Sequence, residues 1–131
     1  MTRNVARAAL LALAAALAAS PALAGAADYE FQSTAPEFKK GDDVVVSVRL
    51  VHKVDKKPVA GAVIFQTRID MSPDKMADMV SPVAPVESKE LGIYAFKTDL
   101  PMAGSYLFSL AAKVQGETET VIGKVVLKAV K

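Results

Sequence analysis

"SYLFSLAAKV", residues 105–114, is the stretch whose period decides the fold. Tyr106, Phe108, Leu110, Ala112 and Val114 occupy alternate positions, with Ser105, Ser109 and Lys113 between them. Successive side chains of a strand point to opposite faces, so the first set reads as one buried face. The same period recurs on both sides. In "VVVSVRLVH" (44–52), Val44, Val46, Val48 and Leu50 share a face, and Ser47 and Arg49 lie opposite with Val45 and Val51. In "AVIFQTRIDM" (62–71), Val63, Phe65, Thr67 and Ile69 read as the apolar face with Met71 in phase, and Gln66, Arg68 and Asp70 lie opposite. "GIYAFKTDL" (92–100) and "TVIGKVVLKAV" (120–130) complete the set, and an edge strand is expected at Tyr29–Phe31.

The segments between these strands carry turn chemistry. "KVDKKPVAG" (53–61), "PMAG" (101–104) and "QGETE" (115–119) are short, with glycine in each and proline in the first two. "SPDKMADMVSPVAPVESKEL" (72–91) holds three prolines and cannot be one continuous element. Ser72-Pro73-Asp74 resembles a helix start, and one or two helical turns are expected after it. Five or six short strands with almost no helical period predict an all-β fold, an antiparallel β-sandwich.

The first 26 residues read differently. Arg3 and Arg7 precede a run of twelve apolar residues (8–19), and Pro21 and small residues follow. That order is the pattern of a secretory signal peptide, and twelve residues are too few to span a bilayer. Cleavage after Ala24 or Ala26 satisfies the small-residue rule, and Ala26 is preferred. The expectation is therefore a signal peptide over 1–26, one domain over 27–131, a periplasmic location and no membrane insertion after cleavage.

The full chain has 16 basic and 14 acidic residues. Arg3 and Arg7 leave with the leader, so the mature chain is formally neutral. Its charges are mixed along the sequence. Neither the basic face of a nucleic-acid binder nor a polybasic membrane segment is visible in that order. The chain has no cysteine, which excludes disulfide staples and thiolate metal sites. Stability must come from apolar packing.

"KPVAGAVIFQTRIDMSPDKMADMVSPVAPV" and "GIYAFKTDLPMAGSYLFSLAAKVQGETETVIGKVVL" resemble the YtkA-like domain family, which is related to the FixH-type proteins. The resemblance covers roughly residues 43–128. It implies an immunoglobulin-like sandwich in an exported bacterial protein. It also implies company with heavy-metal efflux or respiratory-oxidase assembly, where copper recurs. It carries no established catalytic or binding residues.

The candidate site is "MSPDKMADM" (71–79). Met71, Met76, Met79 and Met102 are all the thioethers of the mature chain, and His52 is its one imidazole. Thioether sulfur is soft and suits Cu(I), and imidazole can complete such a site. If "PDKMADM" is helical, Met76 and Met79 share a side. Two readings are open: a thioether metal site, or apolar plugs that seal the end of the sandwich. Asp70, Asp74 and Asp78 recur every four residues, but Arg68 and Lys75 sit among them, so a charge-balanced loop is expected rather than a hard-cation site. Tyr106, shortly after Gly104, is expected to bond across a corner of the fold. No nucleophile motif and no glycine-rich phosphate loop appears, so no enzyme is expected. The leading expectation is a non-enzymatic periplasmic accessory domain that handles copper or another heavy metal beside an efflux or oxidase-assembly protein. The alternative is a metal-free interaction module of the envelope. Sequence leaves the partner and the oligomeric state open.

Overall fold

The computed structural model describes residues 26–131. The expected leader lies, but for Ala26, outside them. Nine strands follow in order: β1 (Tyr29–Ser33), β2 (Phe38–Lys39), β3 (Gly41–His52), β4 (Val63–Met71), β5 (Met76–Ser81), β6 (Val83–Val86), β7 (Ile93–Leu100), β8 (Gly104–Lys113) and β9 (Val121–Val130). One sheet has the order β1-β3-β7-β6 and the other β2-β9-β8-β4-β5. Pairing is antiparallel throughout except for β2 and β9, which run parallel. This is the immunoglobulin-like arrangement, in which A-B-E-D packs on G-F-C. Among the described residues no helix is long and apolar enough to cross a membrane.

The inward residues of the two sheets make one core. Val46, Val48 and Leu50 of β3 and Phe96 of β7 meet Ile69 and Met71 of β4, Tyr106, Phe108 and Leu110 of β8, and Leu127 of β9. Phe96 and Phe108 pack edge to face with ring centroids 5.1 Å apart. Each such side chain contributes about 1.5–3 kcal/mol through burial. Gly123 has a packing role on β9. A Cβ there would collide with the Phe31 ring, so only glycine lets β1 close over the second sheet.

Three details depart from the alternation read in the sequence. First, β4 contains a bulge: Ile64 pairs Ala112 and Gln66 pairs Ala111, so Phe65 is the extra residue. The bulge reverses the phase of the strand. Ile64 packs on the core while Val63 and Phe65 are exposed, contrary to the expected face. Second, the expected helix is a single 3₁₀ turn, Ser72–Asp74. Lys75 then adopts a left-handed conformation (φ 61°) and turns the chain into β5. Third, residues 83–86 form β6 despite Pro85. It is an edge strand of its sheet, the place where a strand tolerates proline.

The methionine end as candidate functional site

Met71 closes β4 and is fully buried. Its neighbours are set by three short-range ties. The Asp70 carboxylate accepts from the Ser72 backbone N–H (2.9 Å) and from Arg68 Nε (2.8 Å). Arg68 Nη2 donates to the Ala77 carbonyl (3.0 Å), which draws the irregular part of β5 against β4. Asp70 is thus no solvated loop residue. It is buried and brackets the turn. Hydrogen bonding from Ser72, then from Arg68, holds its carboxyl below the usual carboxylate range, against the opposing effect of burial.

The second wall comes from the β7–β8 corner. The Tyr106 hydroxyl donates to the Met102 carbonyl (2.7 Å) and accepts from the Met102 N–H (3.2 Å). This is the tyrosine corner expected from the sequence. Asp74 reaches across from the 3₁₀ turn to accept from the Ser105 N–H (2.9 Å). Gly104 makes that approach possible: a Cβ there would lie 2.5 Å from Asp74 Oδ2 and 3.1 Å from Met71 Cε, at φ 150°.

Between these walls lies a cavity of about 170 Å³, lined by Met71, Asp78, Met79, Val80, Ser81, Pro101 and Tyr106. It brings together two of the predicted ligands, Met71 and Met79. Met102 adjoins it through Tyr106 and is exposed. Met76 pairs with Met71 in the ladder but is not among the lining residues; it packs against the core. Because β5 is a strand, a spacing of three puts Met76 and Met79 on opposite faces, not on one.

His52 lies elsewhere. It ends β3 at the opposite end from Gly41, which pairs with Leu100 beside the Met102 corner. A strand of that length separates its two ends by about 35 Å. The His52 ring packs edge to face on Tyr29 (5.2 Å), and its Nδ1 lies 3.4 Å from Asp55 Oδ1. Toward that end also lies an open groove of about 430 Å³, whose lining includes Ile64, Val86, Leu91, Tyr94 and Phe96. Tyr94 is already engaged there, donating to the Val59 carbonyl (2.7 Å) and accepting from the Ala62 N–H (3.0 Å). Among the described residues no group of three or more His, Cys, Asp or Glu side chains is placed to hold a metal ion.

Sequence reading missed Asp70 as a buried bracket. The signal available was the pair Arg68 and Asp70 at strand spacing, with a serine two residues on. It missed the pairing of β5, because "MADMVS" has no alternation that marks a strand.

No curated protein matches the chain at a significant level. The sequence model of the YtkA-like family matches residues 23–111, from ahead of β1 into β8. That is more than half of the chain, and the chain belongs to the YtkA-like family.

Proposed function

We propose that this YtkA-like domain is an exported, non-enzymatic accessory domain of the cell envelope, and that its methionine end takes up Cu(I) for a membrane-bound efflux or oxidase-assembly partner. One observation carries the reading. Met71 and Met79 arrive from two different strands at one cavity, next to the corner that holds Met102. Thioethers are soft ligands that need no deprotonation, so the residues present fit Cu(I). Met71 and Met79 would hold the ion, with Met102 as the adjoining third sulfur. A bound Cu(I) would supply soft-ligand exchange, which suits transfer to a partner. The chain's own part is to position the sulfurs: Asp70 fixes the turn after Met71, and Tyr106 fixes the corner. The titratable lining residues are Asp78 and Tyr106, and the Tyr106 hydroxyl is spent on Met102, which leaves little for acid–base chemistry.

A second reading is favoured by the exposure of Met79, Val80 and Met102. They form an apolar rim that a protein partner could cover without metal.

A competition titration with a Cu(I) chelator separates the two. Wild type should hold Cu(I) at micromolar free metal and bind Zn(II) poorly, since zinc prefers thiolate, imidazole and carboxylate. Met71→Leu with Met79→Leu should lose the ion while stability stays within about 1.5 kcal/mol. A wild type that surrenders Cu(I) at that concentration leaves the metal-free rim as the function of this end.

A further inference from the structure

The strand pairing gathers charges that are scattered in sequence. On the outer face of the β2-β9-β8-β4 region, Lys124 and Lys128 of β9, Lys113 of β8 and Lys39 of β2 are all exposed. These four strands carry a single acidic residue, Asp70, and it is occupied by Arg68. None of the four lysines has an ion-pair partner among the described residues. The residues after 26 are formally neutral in sum, and this part of the sheet carries an excess of positive charge spread over about 25 Å of strand, with Asp78 of β5 at its edge. Apolar side chains alternate with the lysines on it. Ile122 and Val126, 70% and 58% exposed, flank Lys124 along β9, and Val126 stands beside Leu107 of β8. Val63 stands beside Lys113.

We infer that this face lies on an anionic membrane surface. A second copy of the chain is disfavoured as occupant, because the same positive face would oppose itself. A protein partner is also the poorer fit. Protein interfaces favour arginine and aromatic rings and disfavour lysine, whereas here the free cations are all lysines and the one arginine is spent. Lysine suits a lipid headgroup layer. It is a hydrated point charge on a flexible stem that reaches past neighbouring aliphatic groups. Each lysine near an anionic bilayer strengthens binding about fivefold, and exposed aliphatic side chains add a shallow apolar contact. The attachment is peripheral and reversible. It goes beyond the methionine reading and is independent of it, since the two involve different residues. It would confine the domain to the plane in which a membrane partner is met.

The test is co-sedimentation with vesicles. All nine strands lie within residues 29–130, so the protein is used without residues 1–25, whose apolar run would bind lipid on its own account. The expected result is binding to phosphatidylcholine vesicles containing about 30 per cent phosphatidylglycerol at low salt, and none to phosphatidylcholine alone. Raising the salt to about 0.5 M should release the protein through screening. Lys124→Glu with Lys128→Glu should weaken binding at least about twenty-five-fold, that is, two fivefold steps. Ile122→Ser with Val126→Ser should weaken it at unchanged salt sensitivity. Circular dichroism checks that the variants keep the wild-type strand signal. Should a glutamate variant misfold, the lipid and salt comparisons on wild type decide alone. Failure to bind the anionic vesicles, equal binding to neutral ones, or a folded glutamate variant that binds like wild type would each overturn the proposal. In the first case a protein becomes the expected occupant of the face.

Discussion

At the methionine end Tyr106 bonds to Met102, four residues back along the chain; at the opposite end Tyr29 bonds to Glu117, 88 residues away (2.8 Å). The first bond is neutral and local. The second is charge-assisted and half-buried, and it ties the first strand to the β8–β9 loop. An ionisable tie of the methionine end with a lowered pKa is a different group, Asp70. The two ends therefore depend on opposite protonation states. Asp70 must be ionised to hold Arg68 and Ser72. Tyr29 must keep its proton to hold Glu117.

The signs follow from linkage. The folded-state pKa of Asp70 is lowered, so its contribution is present above the unfolded value, near 3.9, and is lost as pH falls through the folded value. Tyr29 is pushed up from 10.0 to about 12, first by its bond to Glu117 and then by burial. Its contribution is complete below 10 and is lost as pH rises from 10 through about 12. Acid should loosen the methionine end first, and alkali the Tyr29 end.

The largest test erases the difference between the ends. Phe108 is fully buried between the sheets, so Phe108→Ala should cost about 3–5 kcal/mol in urea unfolding. Exchange of backbone amides should rise at both ends together. A loss confined to one end would mean that the sandwich is two units rather than one. The next test removes one side. Asp70→Asn should cost about 1.5 kcal/mol at neutral pH, because the Ser72 N–H and the half-exposed Arg68 lose their charged, buried acceptor. It should also flatten the fall in stability below about pH 4. Unchanged acid sensitivity in that variant would move the acid-labile tie to another carboxylate. The smallest effect is expected from Tyr29→Phe, about 1 kcal/mol, with the alkaline decline between pH 10 and 12 removed. A variant that still loses stability over that range would exclude the Tyr29–Glu117 bond as its cause.

The strands of the core were legible because their alternation is strict. Val46, Val48 and Leu50, and Tyr106, Phe108 and Leu110, are buried as the period of two requires. The tyrosine corner was legible too, since a glycine-led strand start followed closely by tyrosine is a local signal. The bulge at Phe65 was not. Nothing in "AVIFQTRIDM" marks one residue as extra, because a bulge is set by the partner strand. The site was partly legible. The methionines are visible in any reading, but their convergence depends on β5 pairing with β4 through an irregular ladder. The lysine face was hidden for a simpler reason. Lys39, Lys113 and Lys128 are far apart in sequence, and only the strand order puts them on one face.

The parallel pairing of β2 with β9 has a consequence for the order of assembly. Phe38 lies beside Ala129, and the Lys40 N–H donates to the Val130 carbonyl (2.7 Å). The first hydrogen bonds of this sheet, read from the amino end, thus join residues at the two extremes of the domain. A chain that emerges amino end first can pair β1 with β3 early, because those strands are close in sequence. It cannot close the second sheet until β9 is free. Until then β8 has an open edge and Phe31 has no Gly123 to lie against. Contacts of such long sequence separation place folding on a scale of roughly milliseconds to seconds. Closure of the core therefore waits on β9, the last strand of the domain in chain order.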